Sequence, residues 1–334
     1  MKGRHNSMSQ PLQLKITSRA IYDELQRRGI DAHVVRLSKV TVLLFDFNGR
    51  HHAIVGAKPD VSAATSVAIT GNKSLTYEIA TRYHVAPIPV TEVYHDFVHA
   101  CDFLQRYQRI VVKPIDGAHG NGVSTNITSQ LQLKKAIDAA ASHSESKKVL
   151  LQEFVQGVDI RVLIIDGTFV GAIRREPASV VGDGIHTIDE LIAIENTNSD
   201  RGSEPYTKKM NMIDIAAAHR YLTARKRQKI PAIGEYTQVV GTANMGTGGR
   251  AVECGQLIPK EMIEQAICMS DIAGAFICGV DFLYDIAAGT WKLIEINASP
   301  SFGLHMMPSE GRPIDDLATR YIDALFSKYS KVEI

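Results

Sequence analysis

Apolar positions recur along this chain with two spacings, and their succession predicts mixed helix and strand. Residues 18–29 place Ile21 and Leu25 at helical spacing, with Thr17 or Ser18 as N-cap and Gly29 as the stop. Residues 32–37 and 40–47 are rich in β-branched and aromatic side chains, and Asn48-Gly49 leads into 52–55 as a hairpin, which gives a small α/β lobe. Helical spacing returns from 70 to 83, with Leu75, Ile79 and Ala80 on one side and Pro87 and Pro89 beyond the end. It recurs from 94 to 105 through Phe97, Val98, Cys101 and Leu104. Residues 109–114, 123–127 and 149–155 read as strands, with a helix near 131–142 between the last two. Residues 162–165 and 169–173 form a hairpin about Asp166-Gly167. Two further apolar runs, 277–284 and 291–297, flank a turn-forming stretch and predict adjacent antiparallel strands.

Composition changes this picture little. The chain has 334 residues, 45% hydrophobic and 22% charged, which suits one large domain or two to three lobes. Lys+Arg 37 against Asp+Glu 36 gives a formal charge of +1, so no field of one sign points to nucleic acid or membrane as a partner. Cys101, Cys254, Cys268 and Cys278 follow no zinc or CxxC spacing and read as reduced core thiols of a cytoplasmic protein. No apolar run is long enough to span a bilayer. The polar leader, residues 1–10, is expected to be disordered and in part of vector origin.

Candidate chemistry begins with acids inside apolar strands. Alternation puts Leu293, Glu295 and Asn297 on one face, Ile294 and Ile296 on the other, and lets Asp281 reach the first face from the adjacent strand. Two buried carboxylates without an evident cation repel, unless positive charge sits between them. With the Asn297 amide they make an oxygen-only set suited to Mg²⁺ carrying nucleotide phosphates. The alternative is a pair of edge strands whose acids face water.

The strand at 109–114 delivers Lys113 to a glycine-rich stretch, 116–124, where backbone N–H groups can approach an anion closely. It is not a Walker loop, because the Lys precedes the glycines and a strand follows. Taken alone, such a stretch is more often just a turn. Gln152 and Glu153 at a strand edge could read adenine, with an acid nearby for a ribose hydroxyl, or could belong to an ordinary core strand. Arg161 and Arg174 or Arg175 either point inward, where guanidinium suits phosphate or carboxylate, or form a solvated tip.

The order of these parts resembles the ATP-grasp superfamily of carboxylate–amine ligases from about Ser18 onward. Within it the motifs resemble the ATP-grasp region of cyanophycin synthetases, and next the glutathione synthetase domain of bifunctional bacterial enzymes. The segments that carry the resemblance are 174–184, 241–249 and Glu295-Ile296-Asn297-Ala298-Ser299-Pro300, continuing into 305–311. It implies an α/β (α+β) ATP-grasp fold: a leader and small lobe over 1–70, a first lobe with the phosphate flap over 71–155, and a second lobe with the metal site over 156–334. ATP would lie between these two lobes. Lys73 and Lys113 would reach its phosphates, and Gly117, His119, Gly120 and Gly122 would form the flap. Gln152, Glu153, Phe154 and Val155 would bind adenine and Asp159 the ribose. Asp281, Glu295 and Asn297 would hold Mg²⁺, with Mn²⁺ as an alternative.

Arg161, Arg174 and Arg175 are the expected catalytic cations. Asn244, Gly246, Thr247 and Gly248 are expected at the acceptor. His305 and Ser309 either shape the substrate pocket or cap loops. The implied partners are amino acid or peptide substrates, with a homo-oligomer compatible and no nucleic acid or membrane. The resemblance implies amide-bond formation through an acyl phosphate; a glutathione-synthetase-like ligase and a non-catalytic ATP-binding protein are the alternatives. Two departures stand out. The sequence carries no second, Mur-ligase-like domain before Ile334, so two-site addition of arginine to polyaspartate is not expected, and Ser301 replaces a Gly common in relatives.

Overall fold

The computed structural model describes residues 14–37, 40–116, 121–203 and 208–331. The first lobe in the chain comprises α1 (Ile16–Arg27) and the sheet β1 (Ala32–Leu37), β2 (Val40–Phe47), β3 (Arg50–Val55) and β4 (Lys58–Pro59), paired in that order. Asn48 and Gly49 take φ of 50° and 71°, as the two-residue turn between β2 and β3 requires. Neither expected residue caps α1. The N-cap is Lys15, without a side-chain bond, because Thr17 Oγ1 instead accepts from the Phe302 N–H at 3.0 Å.

The helix expected over 70–83 is two helices, α2 (Ala64–Gly71) and α3 (Lys73–Arg82), broken at Asn72. Its extended backbone and a side chain that accepts from the Leu75 N–H make it the cap of α3, a contribution of about 1 kcal/mol. The buried face of α3 is Thr76, Tyr77 and Ala80, while Leu75 is 37% exposed.

A second lobe is built from β5 (Thr91–Val93), α4 (Phe97–Tyr107), β6 (Ile110–Pro114), β7 (Ser124–Ile127), α5 (Gln130–His143) and β8 (Val149–Glu153), with sheet order β5-β8-β6-β7. Asp96 caps α4, which sets its phase: Ala100, Phe103 and Leu104 pack on the sheet while Phe97 and Val98 face outward.

The central sheet holds β9 (Val158–Ile165) and β10 (Thr168–Glu176). The chain then leaves it for a satellite of β11 (Ser179–Val181), α6 (Ile188–Glu195), β12 (Arg201–Gly202), β13 (Met210–Asn211), α7 (Ile215–Tyr221), α8 (Ala224–Arg227) and β14 (Tyr236–Gln238). This satellite has its own core around Val180, Ile188, Ile192 and Val239. The chain returns through β15 (Arg250–Glu253), α9 (Lys260–Ala273), β16 (Ile277–Asp285) and β17 (Thr290–Asn297), and ends in α10 (Gly303–Met306) and α11 (Leu317–Lys331). The sheet order is β15-β10-β9-β16-β17.

One face of this sheet, with Ile160, Val162, Val280 and Phe282, packs on α9. The other face changes character along its length. Leu163, Ile165 and Ile277 share a core with Leu43, Ile54, α1 and α11, whereas the positions that continue the same alternation, Asp159, Arg161 and Asp281, lie bare of apolar cover on the floor of a cleft. That change of one face from apolar to charged is what creates a site.

Two expectations need correction here. A bulge shifts the β16–β17 register between Asp281 and Phe282, so Leu293 pairs with Phe282 and joins Ile296 in the core, while Ile294 turns to the cleft. Cys268 is exposed on α9, not a core thiol. Among the described residues no helix is long and apolar enough to cross a membrane.

Candidate active site

The cleft has a volume of about 2340 Å³, well above the roughly 300–1,000 Å³ of a single-ligand pocket. Its floor is a row of paired residues. Asp281 lies opposite Arg161 on β9 and opposite Glu295 on β17, and Asp159 lies opposite Arg175 on β10. Gly279 makes room for this row, since a Cβ there would stand 3.1 Å from the Arg161 stem.

The positive charge that these acids require beside them comes from two guanidinium groups. Arg161 donates through Nε and Nη2 to the two oxygens of Asp281, both at 2.7 Å, and Arg175 Nη2 adds a bond at 2.9 Å. Burial pushes the Asp281 carboxyl up, but Arg161 and Arg175 more than offset this, so the net direction is down. Arg175 also grips Asp159 at 2.6 to 2.9 Å, so the carboxylate expected at ribose is tied to a guanidinium. A solvated arginine tip is therefore excluded. Arg174 points to the reverse face, pairs with Glu176 at 2.8 Å and does not line the cleft.

The facing wall comes from β6 and β8. Lys113 is 3% exposed, and its Nζ donates to Tyr77 Oη at 2.8 Å; Tyr77 in turn donates to the Ile294 carbonyl at 2.6 Å. Burial pushes the Lys113 ammonium down to about 8, with Glu295 acting the other way. Sequence reasoning missed Tyr77; the signal was its i+4 spacing from Lys73 on α3. Gln152 is 3% exposed and its Nε2 has no partner, a donor held out of water at the cleft wall. Glu153 pairs with Lys292 and accepts from the Val90 N–H, while Phe154 lies under the Arg109 guanidinium at 4.1 Å. Val155 completes this wall.

Glu295 and Asn297 fit a divalent ion. Glu295 keeps its side chain 29% exposed, with Lys73 Nζ 3.8 Å away, and Asn297 Oδ1 accepts from the Ser299 N–H. Among the described residues no three Asp, Glu, His or Cys side chains converge on one point, and both Asp281 oxygens already accept from guanidinium, so Glu295 and Asn297 are the oxygen donors open to the cleft. The oxygen-only chemistry matches Mg²⁺.

Other expected residues divide. Asn244 and Gly246 line the cleft, and Asn244 Oδ1 accepts from the Gly246 N–H to close the short turn Met245–Thr247. Thr247 donates within that turn to the Asn244 carbonyl, and Gly248, at φ 93°, abuts the Ile213 backbone; neither lines the cleft. Gly122 packs against His143 and Pro114 instead of facing the cleft. Gly117, His119 and Gly120 lie outside the described residues. His305 is buried behind the floor, with both ring nitrogens unpartnered, and Ser309 staples the β15 edge through the Ala251 N–H and carbonyl; neither shapes the cleft. The satellite contributes Tyr221, Lys226, Lys229 and Tyr236 to the cleft, and the start of α1 contributes Thr17 and Ser18, none of which the sequence marked as a site residue.

Lobes of this kind, closing a charged cleft from two sheets, are the ATP-grasp fold, and the resemblance read from the sequence holds. Residues 78–183 match the family described as prokaryotic glutathione synthetase, ATP-grasp domain. The chain is similar to cyanophycin synthetase of Trichormus variabilis, with 31% identity over 93% of this chain and 35% of that protein. It is similar as well to the glutathione biosynthesis bifunctional protein of Streptococcus agalactiae, with 28% identity over 76% of this chain and 35% of that protein. It thus spans about a third of the length of these relatives. In structure it resembles a bifunctional glutathione synthetase from Pasteurella multocida, with TM-score 0.67, 20% identity, and 95% of this chain and 44% of that chain covered.

Proposed function

We propose that this chain is an ATP-dependent carboxylate–amine ligase acting on an amino acid or short peptide. A substrate carboxylate would attack the γ-phosphate of ATP to give an acyl phosphate and ADP, and an amine would then displace phosphate and leave an amide. The observation that carries this reading is the register of β16 on β17: it sets Asp281 and Glu295 side by side on the cleft floor, with Asn297 next along that face, in the cleft that Lys113 lines from the facing lobe.

The chain's own residues suit the task. Lys113 would meet a phosphate as a buried cation without much water to displace, and Tyr77 holds its ammonium in place. The free Nε2 of Gln152 and the apolar Phe154 and Val155 would receive the base. Arg161 and Arg175 hold Asp281 in one orientation and would offer positive charge to the transferring phosphoryl group. Mg²⁺ held by Asp281, Glu295 and Asn297 would supply charge neutralisation of the phosphates. A cleft of this volume leaves space for both substrates beside the nucleotide.

The test is phosphate release from ATP and Mg²⁺ with pools of amino acids and dipeptides. Release that depends on one pool, with stoichiometric ADP and a new amide detected by mass spectrometry, supports the ligase. Tight ATP binding with no pool-dependent release would instead mark an ATP-binding protein without turnover.

A further inference from the structure

We propose that the N-terminal end of α1 is a carboxylate subsite of this cleft, taking a non-reacting carboxylate of the amino acid or peptide substrate; the assignment rests on the ligase reading above. α1 is 12 residues long, and its first intrahelical bond runs from the Arg19 N–H to the Lys15 carbonyl at 2.8 Å. The N–H groups of Ile16, Thr17 and Ser18 therefore precede the hydrogen-bonded ladder, and among the described residues no side chain caps them. No acidic residue sits in the first turn to neutralise the positive end of the helix.

A second, independent observation points the same way. Ser18 is only 4% exposed and lines the cleft, yet its hydroxyl has no hydrogen-bond partner among the described residues. The oxygen itself is not sealed off: it opens to the cleft, the side from which a ligand could accept its proton. The helix end is also fastened where a substrate would be needed. Thr17 Oγ1 accepts from the Phe302 N–H at 3.0 Å, and Ser299 Oγ accepts from the Ala57 N–H at 3.1 Å. Both bonds tie the N-terminal lobe to the loop that directly follows Asn297, and Lys15 and Arg19 flank the opening with positive charge. A substrate carboxylate fits better than an ATP phosphate, because α1 stands beyond the 299–301 loop, whereas Lys113, Gln152 and Phe154 belong to the wall from β6 and β8.

Ser18→Asp places a carboxylate where the ligand's would sit, while an acid in the first turn suits the helix and preserves the fold. Phosphate release is measured for the wild type and this variant with each amino acid and dipeptide and, for whichever supports turnover, with the amide of the carboxylate that the product retains unreacted. The wild type is expected to lose at least tenfold in kcat/KM on the amide. In Ser18→Asp the KM for the acid should rise at least tenfold, acid and amide should come within threefold, and the KM for ATP and the Tm should hold. Ser18→Ala, with an expected rise of about threefold in KM, serves where the aspartate variant fails to fold.

Equal use of acid and amide by the wild type, or an undiminished preference for the acid in a folded Ser18→Asp, overturns the subsite while leaving the ligase intact. If no substrate supports release, the ligase reading fails on its own, and calorimetric titration with malonate decides the subsite. Wild-type binding that Ser18→Asp abolishes would support it; no wild-type binding overturns it.

Discussion

Arg161 holds Asp281 by two parallel hydrogen bonds of 2.7 Å from the neighbouring strand, with both residues at least nine-tenths out of solvent. A bidentate guanidinium–carboxylate pair in such a place is worth little over an apolar pair, but removing one partner strands the other charge. Here two cations depend on one acid, since Arg175 also donates to Asp281. Asp281→Ala is therefore expected to destabilise the fold by about 3–5 kcal/mol, and Asp281→Asn by less, because an amide oxygen can still accept from one guanidinium. Urea unfolding measures this. A loss under about 1 kcal/mol for the alanine variant would mean that the pair is solvated and the floor of the cleft is not the closed charge row described here.

Lys113 offers a test that does not need a turnover substrate. With its ammonium pushed down to about 8 by burial, the side chain is about half protonated at pH 8 before any anion arrives. A phosphate beside it favours the charged form, so binding should draw in a proton. Calorimetry of ATP binding at pH 8 in buffers of different ionisation enthalpy is expected to show uptake of about half a proton, falling toward zero below pH 7. Lys113→Met should abolish the uptake and weaken binding. Uptake that is the same in the variant would assign the proton to another group and remove Lys113 from the phosphates.

Tyr77 stands between Lys113 and the bulge at Ile294, accepting from one and donating to the other. Tyr77→Phe keeps the ring and deletes both bonds. The loss should be about 1–2 kcal/mol in stability, together with roughly a tenfold drop in ATP affinity as the ammonium loses its fixed position. Stability lost without any change in ATP affinity would make the tyrosine a core residue only.

The β16–β17 hairpin and the glycine-containing turns were legible in the sequence because alternation and turn chemistry act within a few residues. The bulge at Ile294 was not, since one extra residue changes neither composition nor alternation by much, yet it sends Leu293 to the core. The partners of Asp281 were hidden for another reason: Arg161 and Arg175 lie 120 and 106 residues away, so only the strand order brings them together. Arg174 was chosen with its neighbour, but a strand can send only one of two adjacent side chains to a given face. Thr17 looked like a cap and is instead claimed by Phe302, a contact that local pattern cannot reveal.

His305 illustrates what the sequence could not place and the structure makes measurable. Its ring is 1% exposed with neither nitrogen partnered, and burial, followed by the nearby Arg161, pushes its pKa from 6.5 to about 3. The unfolded imidazole takes its proton near 6.5, so between that value and about 3 the unfolded chain holds more protons than the folded one. Stability therefore falls as pH drops through this window, by up to about 1.4 kcal/mol per unit from this residue. His305→Leu removes both the titration and the two unpartnered nitrogens. The variant should gain about 3 kcal/mol on the wild type between pH 7.5 and pH 4.5, read from urea unfolding at each pH. Parallel curves for the two proteins would show that the imidazole is protonated in the fold, and that an acceptor reaches it.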